Sequence, residues 1–248
     1  MKTKFLHIAT ALLFAGFTSS CSDFLDRYPL DELSDSSFWK TENDAMMAVT
    51  DIYGCLPTWD QDEDINSDNA VHGIKWAAGN ISKGIYDPMD QSWAGSYTPI
   101  RQCNLVLEKV KDIEMSDESR KKIEGQAYFF RAFVYFNLIR SFGDVPYIDK
   151  PLNLTDVEDI TRTPREEVYA KVMADFDKAI EYLPEEWDAA NTPRVTKGAA
   201  LAMKARAALY YSNWQVAADA SKAVIDLGKY ELYDAGNTGK YQELSLIH

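Results

Sequence analysis

A mainly α-helical fold of antiparallel helix pairs, linked by long irregular loops, is what this sequence predicts. Three observations carry that reading. Apolar residues recur at helical spacing in six segments bounded by capping residues and breakers. The stretch from Tyr128 to Pro146, YFFRAFVYFNLIRSFGDVP, is apolar nearly all round its axis and then stops at Gly-Asp-Val-Pro. Two alanine-rich segments near the end are separated only by Ser212-Asn213, the short turn of an antiparallel pair. With 248 residues, 46% of them hydrophobic, the chain can build the packed core of one or two domains.

The elements follow in order. Residues 22–37 read as extended and turn-rich. Thr41 is a plausible N-cap with Asp44 three residues on. Ala45, Ala48, Val49, Ile52, Tyr53 and Leu56 then share one helical face, and Pro57 ends the helix. Residues 57–90 are loop-like, rich in Asp, Gly and Asn. A second helix is expected over 91–113, with Trp93, Tyr97, Ile100, Asn104 and Leu107 on one stripe. Pro99 should kink it or delay its start. A third runs 117–142, with Ser116 as N-cap and Asp117 and Glu118 in its first turn. Gly143 suits the left-handed position after it, and Pro146 blocks continuation.

The run Thr163-Pro164-Arg165-Glu166 predicts a capping box with proline at the first helical position. Val168, Val172, Phe176, Ala179, Ile180 and Leu183 form that fourth helix's stripe, and Pro184 follows. The last two helices are expected over 197–211 and 214–227, with Gly228 closing the second. Ala199, Ala202, Ala205, Ala208, Ala217, Ala220 and Ala223 let them approach closely. Such pairs are tetratricopeptide-like, and stacked they form an α-solenoid. An inner helix of that stack touches its partner and both neighbouring pairs, which accounts for apolar residues all round 117–142. Phe133 is therefore expected in the core, as are Trp39 and Trp93. Arg131 and Arg140 need carboxylate or carbonyl partners there, or must reach the edge.

The N-terminus MKTKFLHIATALLFAGFTSSC reads as a secretory signal over 1–20. Lys2 and Lys4 supply its charge, Ile8 to Phe17 its apolar core, and Thr18-Ser19-Ser20 its small residues. Cys21 follows at once, the position of the acylated cysteine in a lipoprotein signal, although Thr18 stands where stricter versions carry leucine. Acyl chains at Cys21 would anchor the protein without a spanning helix. The other reading is an ordinary signal with a chance cysteine. The net charge is −13, and loss of Lys2 and Lys4 makes the mature chain more negative still. Such a surface repels phosphate backbones, so nucleic acid is not an expected partner. No later run approaches the roughly 20 apolar residues that span a bilayer. Export permits a Cys55–Cys103 disulfide, but both lie in apolar helical patterns and are expected as buried free thiols.

The chain resembles the SusD-like (RagB/SusD) family of outer-membrane nutrient-binding lipoproteins of Bacteroidetes. Cys21 with DFLD and Pro29, FWKTENDAMMAVTDIYGCL, the spaced Trp93, Tyr97, Ile100 and Asn104, GQAYFFRAFVYFNLIRSFGDVP and TPREEVYAKVMADFDKAIEYLP fall in the family's order, followed by the two alanine-rich helices. The resemblance implies tetratricopeptide-like helix pairs supporting a more irregular binding part. It implies a lipid-anchored protein of the outer-membrane surface that captures a glycan or other nutrient. It further implies that the captured nutrient passes to a SusC-like TonB-dependent transporter, with no chemistry performed and no cofactor. Family members are roughly twice this long, so residues 21–248 correspond to the N-terminal part of such a domain, and a truncated chain is expected.

Ligand contacts are expected in the loop 57–90, because solenoid helices build scaffold and long loops carry binding. The loop holds Trp59, Trp76 and Tyr86 for stacking on sugar faces. Asp68, Asn69, His72 and Asn80 could bond hydroxyls. The competing reading is that the two tryptophans pack the loop onto the helices. Asp60, Asp62 and Asp64 alternate as in a calcium loop, but Ile65 and Val71 occupy the positions where an EF-hand needs Gly and Glu. A solvated acidic loop is the default. No carboxylate pair stands out as a glycosidase's, His72 is the only histidine between the signal and the last residue, and no phosphate loop or nucleophile elbow occurs. No catalytic or metal-ligating residues are assigned. Two other functions stay open: a helical scaffold without a ligand, and a secreted glycoside hydrolase.

Overall fold

The computed structural model describes residues 38–56, 93–153, 156 and 159–230. Its regular elements among these residues are helices, with one isolated antiparallel bridge, Val145 to Thr163. The elements are α1 (Glu42–Ile52), α2 (Trp93–Lys109), α3 (Asp117–Phe142), α4 (Arg165–Tyr182), α5 (Lys197–Tyr210) and α6 (Trp214–Asp226). Short 3-10 turns extend α1 over Tyr53–Cys55 and α2 over Val110–Asp112. Phe38 and Trp39 fall outside the unit that holds the helices. Their rings meet edge to face at 5.2 Å, and Trp39 is half-buried rather than core.

Local chemistry starts and stops most helices where the sequence places these signals. Thr41 and Asp44 form the reciprocal capping box of α1: the Asp44 N–H donates to Thr41 Oγ1 and the Thr41 N–H to Asp44 Oδ2. Ser116 caps α3 through the Ser119 N–H, and Gly143 ends it at φ +71°. Thr196 caps α5, and Gly228 follows α6 at φ +63°. Two expectations need correction. α2 begins by Trp93 and runs through Pro99 without interruption, so the proline does not delay it. The capping box predicted for α4 does not form. Asp144 takes the role instead, accepting from the Arg165 N–H at 2.9 Å. The Val145–Thr163 bridge returns the chain beside its own start, which brings that carboxylate to the helix end.

α3 is the centre of the stack. It packs most extensively on α4, also on α2 and α1, and touches α5. Half of its residues are buried, from Ile123 to Ile139. Gly125 allows the close approach to α4, since a Cβ there would lie 3.0 Å from Tyr182 Cβ and 3.1 Å from Leu183 Cγ. α5 and α6 form the short antiparallel pair, joined through Ser212 at φ +57°. Phe133 departs from expectation. It is half-buried, on the one side of α3 that opens to a groove. Trp93 is also half-buried, its ring edge-on to Phe142 at 4.8 Å.

Arg131 finds the partner its position demands. Its Nε and Nη2 donate to the two oxygens of Asp175 on α4, both at 2.7 Å, and Nη1 donates to Asn104 Oδ1 on α2 at 2.9 Å. Asn104 Nδ2 in turn donates to the Ile148 carbonyl at 2.9 Å. Tyr135 Oη donates to that same carbonyl and accepts from the Ile148 N–H, while Tyr97 Oη donates to the Pro146 carbonyl. The connection between α3 and α4 is thus fastened to α2 and α3 by side chains that satisfy its backbone. Arg140 is exposed, its guanidinium 6.0 Å from the Tyr210 ring centre.

Candidate functional site

An open groove of about 420 Å³ lies where the end of α1, the first turns of α2 and the middle of α3 meet. Cys55 near the end of α1 and Gly95 near the start of α2 both line the groove. α3 contributes Phe133 and Asn137, four residues apart and therefore on one face. The Phe133 ring lies nearly parallel to that of Phe129, at 6.4 Å and 11°, which fixes its orientation. α2 contributes Ser96, Thr98 and Gln102, and α1 contributes Asp51, whose carboxylate accepts from Gln102 Nε2. Pro99 also lines the groove, and with no N–H it leaves the Gly95 carbonyl without its usual intrahelical donor.

An oriented aromatic ring thus stands beside an amide, a carboxylate–amide pair and two hydroxyls in an open trough. Such a surface can stack against the C–H face of a sugar while bonding its hydroxyls. No strong charge is concentrated there. Burial pushes the Cys55 thiol up to about 11 and the Cys103 thiol, behind it, higher still. Both are free, Cys103 buried and Cys55 half-buried, as expected of packed thiols in the first case and less so in the second. At pH 8, iodoacetamide should therefore leave Cys103 unmodified and label Cys55 slowly, with both labelling fast in denaturant. Peptide mass spectrometry checks this, and rapid native labelling of Cys103 would contradict the packing of α2.

The residues singled out from sequence, Trp59, Asp68, Asn69, His72, Trp76, Asn80 and Tyr86, lie outside the described residues, as do Cys21 and the aspartates 60, 62 and 64. The groove residues Asp51, Gln102, Phe133 and Asn137 were not assigned to a site from sequence. Only the partial exposure of Phe133 within the apolar stretch of α3 could have marked them, and helical periodicity cannot show that when apolar residues surround the axis. A smaller polar recess lies beside Thr50, Tyr53 and Arg194. There Arg194 Nη1 and Nη2 bond Gln126 Oε1 and Thr50 Oγ1, which pins residues 190–195 to α1 and α3. Among the described residues no group of three or more His, Cys, Asp or Glu side chains could hold a metal ion, and no helix is long and apolar enough to cross a membrane.

Fold and groove together define a helical-repeat scaffold with an open aromatic and polar trough on one side. The chain belongs to the SusD-like family, described as "Starch-binding associating with outer membrane", which matches residues 24–209. It is 29% identical over 240 residues to SusD-like protein P2 of Formosa agariphila, covering 91% of this chain and 46% of that protein. A SusD-like protein of Bacteroides fragilis superposes with a TM-score of 0.77 at 28% identity, over 88% of this chain and 44% of that one. A second, SusD-like carbohydrate-binding protein from the same species gives a TM-score of 0.68 at 25% identity, over 79% and 42%. The chain spans about half the length of the relatives it matches.

Proposed function

We propose that this chain is the N-terminal part of a non-enzymatic surface lipoprotein that binds a glycan and hands it to a SusC-like TonB-dependent transporter in the outer membrane. The observation that carries the reading is the groove, where the fixed Phe133 ring faces solvent beside Asn137, Gln102 and Asp51. Family membership supports it, as does the carbohydrate binding stated for the second Bacteroides fragilis relative. Trp59, Trp76 and Tyr86, with Asp68, His72 and Asn80, extend the site from the segment that joins α1 to α2. The negative chain favours a neutral saccharide over a polyanionic one.

Native electrophoresis through gels containing starch or laminarin tests this, because retardation registers weak binding. The protein should be retarded by at least one neutral polysaccharide and leave its chain length unchanged on incubation. Phe133→Ala and Asn137→Ala should each weaken binding severalfold, in keeping with about 0.5–1.5 kcal/mol for a ring contact. Retardation untouched in these variants and in Trp59→Ala and Trp76→Ala, all still folded, would place the site elsewhere. Shortening of the glycan would make the protein a hydrolase.

Cys21 is the anchoring residue in this reading, placed directly after Thr18-Ser19-Ser20. Cys21→Ala should move the protein from the membrane fraction to the soluble one and abolish incorporation of a fatty-acid analogue. Incorporation that persists in the variant would refute the anchor.

A further inference from the structure

The polar groups of the groove have a direction. Asp51 carries its single formal charge, and among the described residues no lysine or arginine lines the groove with it. The Asp51 carboxylate accepts from Gln102 Nε2. That bond ties the donor end of the Gln102 amide to Asp51 and turns Oε1, an acceptor, the other way. Pro99 has no N–H, so the Gly95 carbonyl lacks its intrahelical donor, and Gly95 lines the groove with no side chain to shield it. The Phe133 ring, set by Phe129, presents a π face, which is negative and attracts C–H groups and cations alike. Thr98 and Asn137 can donate or accept and add no bias. What is fixed in the groove therefore accepts: a carboxylate, a bare carbonyl and a negative ring face.

Such a surface suits a ligand that donates and is positively charged. A sugar hydroxyl donates once, and its oxygen then needs a donor in return. A protonated amine is a donor only, with three N–H groups and nothing left to satisfy. Its charge also matches both the carboxylate and the ring face. We propose that the groove selects a saccharide with a free, protonated amine, a hexosamine, over the N-acetylated and the unsubstituted sugar, and that Asp51 sets this choice. The selection presupposes that the groove binds a glycan and specifies which sugar it prefers. The chain's net charge of −13 attracts a cation as well, but from no particular place, so the effect of Asp51 is separable from it.

Calorimetric titration tests this with β-1,4-linked oligosaccharides of equal length that differ only at C2: glucosamine with its amine, N-acetylglucosamine, and glucose with its hydroxyl. The buffer is mildly acidic, so that the amine is protonated. The glucosamine oligomer should bind about three- to tenfold more tightly than the other two. Asp51→Asn, which keeps the shape of the side chain, should erase that margin. Glu114→Gln changes the net charge equally at an exposed position outside the groove and should preserve it. Equal losses in the two variants would assign the margin to overall charge and overturn the proposal. So would a glucosamine oligomer that binds no better than its counterparts, or a glucuronic acid oligomer that binds as tightly. Spermidine binding as tightly would make this a site for amines and not for sugars, and would overturn it too. Should Asp51→Asn fail to fold, the order of the oligomers in the parent chain and in Glu114→Gln decides. If starch or laminarin binds and none of the β-1,4 oligomers does, the glycan reading stands and the amine preference falls. If no saccharide of any kind binds, both fall.

Discussion

Asp175→Ala should cost about 3–5 kcal/mol. The carboxylate and Arg131 are each only 8% exposed at the side chain and are joined by two parallel hydrogen bonds. Removing it leaves a buried guanidinium with one acceptor, Asn104 Oδ1, where three bonds existed. That loss is a large fraction of the roughly 5–15 kcal/mol that holds an ordinary domain together. Urea unfolding followed by circular dichroism measures it. The cost belongs to the stranded charge and not to the attraction of the pair. The double change Arg131→Met/Asp175→Leu should therefore recover most of the stability, as apolar replacements of buried ion pairs often do. If Asp175→Ala loses less than about 1 kcal/mol, water reaches Arg131 and the pair is not buried in solution.

Phe130→Ala should cost about 3–5 kcal/mol, and Phe133→Ala clearly less, although the two stand three residues apart on one helix. Phe130 is fully buried, its ring edge-on to Tyr53 at 4.6 Å and to Phe129 at 5.3 Å, so truncation opens a cavity among fixed neighbours. Phe133 rests on Phe129 and turns its other side to the groove, which already admits solvent. Calorimetric melting of the two variants side by side decides the matter. Equal losses would mean that Phe133 is packed from both sides and is not free to meet a ligand.

These two phenylalanines also mark how far the sequence could be read. Helix ends were legible because their determinants are local: Thr41 with Asp44, Ser116 with Ser119, and the positive φ of Gly143 each act within a few residues. The need of Arg131 for a partner was legible too, since an arginine on an apolar helix must be compensated. Its identity was not, because Asp175 is 44 residues away and looks like any other acidic residue of an amphipathic helix. The capping of α4 failed for the same reason. Thr163 and Glu166 have the right spacing, but the bridge to Val145 delivers Asp144 to the helix start, and nothing near Thr163 announces it. The groove was the least legible part. Its lining comes from three helices, and the difference between Phe130 and Phe133 lies in what each faces.

The fastening of residues 144–150 changes how the helix stack can come apart. A solenoid whose repeats touch only their neighbours can lose an end repeat and keep the others. Here Tyr97 and Asn104 on α2 hold the carbonyls of Pro146 and Ile148, which belong to the connection between α3 and α4. Peeling α2 away would strip those carbonyls of partners and deprive Arg131 of Asn104 at the same moment. Fraying from that end therefore carries the cost of opening the middle, and α2, α3, α4 and their connection form one cooperative unit that opens together. Limited proteolysis would meet this half of the molecule whole or not at all, while the α5–α6 pair, outside the network, remains able to loosen on its own.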